Sequence, residues 1–104
     1  MDFNHLYIIE IIDGDKTIRE VLTEHERGLS MAIVEKICYA VDNDIKRIRI
    51  AEIKAKGTII SLHSSYNNFV DTLESNIDNL IKYEEYEICA LGKKCIDKIK
   101  EKKY

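Results

Sequence analysis

The sequence predicts an α+β domain: a single antiparallel β-sheet made from two β-hairpins, in the order β-β-α-β-β-α-α, with helices packed on its faces. Three observations carry this expectation. Leu6-Tyr7-Ile8-Ile9-Glu10-Ile11-Ile12 is an almost unbroken apolar run of strand length. Asp13-Gly14 and Lys56-Gly57 each punctuate β-branched stretches in the manner of hairpin turns. Residues 29–41 and 69–99 return to apolar side chains at steps of three and four, the spacing of a helix face.

The opening run alternates Tyr7, Ile9 and Ile11 on one side with Leu6, Ile8 and Ile12 on the other, so neither face is polar. An inner strand covered on both faces is expected. The Asp-Gly turn then returns the chain along Thr17 to Thr23, pairing Ile11 with Ile18, Glu10 with Arg19, Ile8 with Val21 and Tyr7 with Leu22. Thr23-Glu24-His25-Glu26 has the form of a capping box and predicts a helix start. Leu29, Ala32 or Ile33, Ile37 and Ala40 or Val41 form its apolar stripe, which ends near Asp42-Asn43-Asp44. A rival reading begins the helix at Thr17, because Ile18, Leu22, His25 and Leu29 also fit helical spacing.

Ile45 to Ala55 and Thr58 to Ser64 form the second predicted hairpin, with Ile53 facing Ile60, Ala51 facing Leu62, and Ile50 facing His63 on the opposite side. After the polar stretch Ser64 to Asn68, a stripe of Phe69, Leu73, Ile77, Leu80 and Ile81 marks another helix. A further stripe, Ile88, Leu91, Cys95 and Ile99, follows an interruption at Glu84-Glu85. The tail is therefore two helices broken at Tyr83 to Tyr86 or at Gly92, or one long helix with a phase shift serving an oligomer seam.

A length of 104 residues suits a single domain, with residues 1–65 as a ββαββ core and 66–104 as a helical segment. The net charge of −3 gives no global attraction to nucleic acid or anionic membrane. The charge is nonetheless segregated: residues 1–44 and 66–91 are acidic, and 45–65 and 92–104 are basic. The blocks are expected to neutralise one another within the fold or across an oligomer. No apolar run is long enough to span a bilayer and no leader pattern opens the chain, so a soluble cytoplasmic protein is expected. Cys38, Cys89 and Cys95 are odd in number and lie among apolar helical positions, which suits reduced, buried thiols.

The common phosphate-loop, dinucleotide, nucleophile-elbow and zinc-hydrolase motifs are all missing. His5, His25 and His63 together with the cysteines do not show metal-ligand spacing, and Cys38 lacks the electropositive setting of a nucleophile. No enzyme, cofactor or metal is expected. One cluster has ligand chemistry: Lys46, Arg47, Arg49, Lys54 and Lys56 in a single hairpin, with Arg47 and Arg49 on one side, the lysines on the other, and Tyr66 or Tyr39 as a stacking partner. It suggests an alternative role in binding a small anion such as a nucleotide, or, more remotely, nucleic acid. The main expectation is a non-enzymatic interaction protein, homo-oligomeric, that binds or sequesters a protein partner. The composition, without proline or tryptophan, is that of an AT-rich coding sequence, as in low-GC bacteria or their phages; small acidic chains of this style are common among phage and mobile-element accessory proteins, so an inhibitor of a host factor is expected.

Overall fold

The computed structural model describes residues 6–12, 14–55 and 57–102. Its elements are β1 (Tyr7–Ile11), α1 (Ile18–Glu24), α2 (Glu26–Asp42), β2 (Arg47–Ala55), β3 (Thr58–Ser65), a 3₁₀ turn (Tyr66–Asn68), α3 (Phe69–Lys82) and α4 (Tyr86–Glu101). The mixed α+β class is as expected, but the sheet has three strands in the order β1-β2-β3 and is not antiparallel. β1 runs parallel to β2, whereas β2 and β3 form an antiparallel hairpin.

The first hairpin is therefore corrected, and Thr17 explains why. Its hydroxyl accepts a hydrogen bond from the Glu20 amide at 3.2 Å, capping a helix where a strand was expected. Thr17-Ile18-Arg19-Glu20 is itself a capping box. As a strand, this segment would put Glu20 between Ile18 and Leu22 on one face; as a helix, it turns Val21 and Leu22 together toward Ile9 and Ile11. The expected box at Thr23 is absent, because the Thr23 hydroxyl donates to the Arg19 carbonyl oxygen at 2.9 Å. With helices between them, β1 and β2 can be joined by a crossover, which makes them parallel. The Asp13 half of the expected turn lies outside the described residues.

β1 is consequently an edge strand, and β2 is the inner one. Only the Tyr7, Ile9 and Ile11 side of β1 is covered, and the predicted double cover is corrected: Ile8 and Ile12 are exposed. The second hairpin keeps the expected pairs Ile53–Ile60 and Ala51–Leu62, and Gly57 turns it with a φ of +75°. Ile50 does not face His63. A bulge between Arg49 and Ala51 leaves His63 opposite Arg49 and turns both Ile50 and Ala51 into the core.

α2 packs on β2, α3 packs beside it and reaches β3, and α4 closes against both helices. This central place explains why α2 buries Val34 and Cys38 as well as Ile37, Ala40 and Val41. The tail is two helices, separated at Glu84, whose φ is +59°. Gly92 is not at a helix end: it is buried within α4, where Ile77 and Val34 press closely on it. The stripe of α4 is Cys89, Gly92, Cys95, Ile96 and Ile99, so Leu91 points outward. No helix among the described residues is long and apolar enough to cross a membrane.

Candidate interaction surface

All the helical cover lies on one side of the sheet, and the other side is open. The register places Ile8, Glu52 and Ser61 in one cross-strand row and Glu10, Lys54 and Ile59 in the next. Ile8 is 49% exposed, Ile59 63% and Ile12, just beyond β1, 88%. These are large apolar side chains exposed beside charges of both signs.

The bulge in β2 also reorders the charges. Without it, Arg49 and Glu52 would point to opposite sides; with it, they share the open face and form an ion pair at 3.3 Å. Lys54 joins the Arg47 and Arg49 side for the same reason, which corrects its expected placement on the opposite side. Lys46 goes elsewhere. Its ammonium is 3.1 Å from Asp44 and lies 4.2 Å from the centre of the Tyr66 ring. The hydrogen bond from Lys46 holds the Asp44 carboxyl below its ordinary range. Lys46 and Tyr66 are thus brought together, but the crevice beside them, bounded also by Lys102, has a volume of about 10 Å³, on the scale of a single water. Arg47 is exposed at the start of β2, Lys54 lies near its far end, and Lys56 lies outside the described residues. The basic residues do not converge on one ligand-sized cavity among the described residues.

A roomier concavity lies at the carboxyl ends of the parallel strands. A groove of about 390 Å³ is lined by Glu10, Ile11, Ile12, Lys54, Ala55 and Ile59 among others. On the far side of β1, a hollow of about 200 Å³ shares Glu10, Ile11 and Ile12 and is closed by Val21, Glu24 and His25. Lys16 and Glu24 form an ion pair there at 2.6 Å. The end of β1 therefore stands proud between two depressions with apolar walls and sparse charges. Such walls suit polypeptide side chains better than a phosphate, which requires several converging donors. Among the described residues, no three His, Cys, Asp or Glu side chains gather as a metal-binding group.

Sequence reasoning missed this surface, though one signal for it was present. In β3, Ile60 and Leu62 alternate with Ser61 and His63, and Ile59 is the residue that breaks the polar phase. Comparisons of the chain with protein-family models, with curated proteins and with solved structures returned no match.

Proposed function

We propose that the chain is a non-enzymatic interaction protein that self-associates along β1, and that the resulting dimer presents its open sheet face and the groove at the ends of β1 and β2 to a protein partner. The observation that carries this reading is the uncovered edge itself. β1 has no proline, lysine or bulge to discourage pairing, and four of its five residues are apolar.

A second copy is the occupant because the edge is complementary to itself. Antiparallel β1 strands overlapping along all five residues put Ile9 opposite Ile9 and Tyr7 opposite Ile11 on the covered side. On the open side, Ile8 meets the aliphatic stem of Glu10. No like charges oppose one another in this register. It joins the two sheets into one of six strands and leaves Ile12, Ile59 and the groove at the ends of β1 and β2 facing outward for a further partner. Sequestration of that partner is the mode of action proposed here, with no chemistry required of the chain.

The register supplies its own test. Ile8→Glu faces Glu10 of the partner copy twice across the two-fold axis, so the dimer is expected to weaken by about tenfold. Ile8→Lys is expected to retain it, and adding Glu10→Lys to Ile8→Glu to restore it. The readout is the dissociation constant from sedimentation, with circular dichroism to confirm folding. Equal dimerisation in all three variants, or a monomeric native chain, would overturn the reading.

A further inference from the structure

Two of the three buried thiols face each other across a helix seam. Cys38 on α2 and Cys95 on α4 are free and buried, and each is the foremost influence on the other's ionisation. Cys38 Sγ lies 3.8 Å from the carbonyl oxygen of Leu91, one turn before Cys95. One turn after Cys38, Asp42 holds Lys98 at 2.9 Å. The two contacts advance in the same direction along both helices, so the seam is parallel, and Cys95 lies between the two positions they fix on α4. Cys89 differs: its thiol donates to the Ile77 carbonyl oxygen at 3.7 Å on the α3–α4 seam and has no thiol beside it.

We propose that Cys38 and Cys95 form a reversible disulfide, made by exchange with a small-molecule disulfide of the glutathione class, which staples α2 to α4. The two sulfurs differ in acidity. Cys38 first, with Lys98, holds the Cys95 thiol below its ordinary range against burial and Asp42. The interaction with Cys95, with burial, pushes Cys38 up and keeps its proton in place. Both cysteines are nearly enclosed, Cys38 at 6% and Cys95 at 4% exposure, so exchange requires the rim to open at the Asp42–Lys98 ion pair, whose side chains are each more than half exposed.

In the first step, the Cys95 thiolate attacks one sulfur of the small disulfide RSSR. The S–S bond breaks, RS⁻ departs, and a Cys95–S–SR mixed disulfide forms. That step removes the thiolate which held the Cys38 proton. Cys38 then loses its proton to the departing group and attacks the Cys95 sulfur, forming Cys38–S–S–Cys95 and releasing the second R group as RSH. Two protein thiols are oxidised and one small disulfide is reduced to RS⁻ and RSH, with no other oxidant. The bridge closes a long loop, from α2 to α4, which constrains the unfolded chain strongly.

The test uses the full chain, reduced and then incubated with oxidised glutathione. Remaining thiols are alkylated, and the products are mapped by mass spectrometry under non-reducing conditions. The expected product is one chain that has lost two hydrogen atoms, with Cys38 linked to Cys95 and Cys89 alkylated. Its melting temperature is expected to rise by about 5 °C or more, and dithiothreitol to reverse the change. Cys89→Ser is expected to behave identically, and Cys38→Ser to stop with glutathione on Cys95. A bond through Cys89, a bond between chains, or three free thiols under conditions that oxidise the urea-unfolded chain would each overturn the proposal.

Discussion

Single residues show where the packing has no slack and where it is imperfect. A Cβ at Gly92 would lie 2.8 Å from Ile77 Cδ1 and 3.3 Å from Val34 Cγ1. Gly92→Ala gains helix propensity of about 1 kcal/mol but must displace both side chains, at about 1–3 kcal/mol. Net destabilisation of about 1 kcal/mol is expected in urea unfolding. Ser64 is the converse case: its hydroxyl is buried on the core side without a hydrogen-bond partner. Ser64→Ala removes that unmet group and is expected to stabilise the fold by about 1 kcal/mol in the same measurement. The thiol pair sets a pH dependence. Ionising Cys38 as well as Cys95 would put two negative charges on adjoining sulfurs, so the fold raises the Cys38 pKa above its unfolded value, through the hydrogen bond to Cys95 and then burial. A raised pKa means that this contribution is fully present below the ordinary thiol range, near ~8.5, and is lost as pH climbs beyond it. The melting temperature should therefore fall through the alkaline range, and Cys38→Ser should flatten that fall.

Among the elements, α1 depends most on one local interaction. It has only seven residues and one buried side chain, Val21, so its cap is a large share of its stability. Thr17→Ala is expected to cost about 1 kcal/mol, with hydrogen exchange accelerated in α1 and little changed in α3 or α4. The same cap shows what was legible in the chain. Thr17-Ile18-Arg19-Glu20 carries the information for a helix, but the Asp-Gly pair and the β-branched run compete with it locally. Tertiary packing of Val21 and Leu22 on Ile9 and Ile11 decides between them. The β2–β3 register was readable because Gly57 fixes the turn and the alternation fixes the faces. The bulge at Ile50 was not read, although the polar phase shifts there, from Arg47 and Arg49 to Glu52 and Lys54, where Ile50 and Ala51 stand side by side. That one inserted residue decides which side Lys54 occupies, and hence the composition of the candidate surface.

At the scale of the molecule, the charge blocks partly resolve within the fold. Asp42 of the first acidic block pairs with Lys98 of the basic tail, and Arg27 pairs with Glu85. The basic hairpin is answered locally instead, through Asp44–Lys46 and Arg49–Glu52. The larger imbalance is in apolar cover. Four helices, two of them in the crossover, lie to one side of a three-stranded sheet and leave the other uncovered among the described residues, in a body of 48 × 27 × 25 Å. The apolar opening run was legible as needing two covers, and the described residues supply one. The most direct measurement is the sedimentation-equilibrium mass of the reduced native chain at micromolar concentration. Pairing along β1 predicts a mass twice that of the 12.1 kDa protomer, reverting toward the protomer in Ile8→Glu. A native chain that remains at the protomer mass across the concentration range would contradict the account.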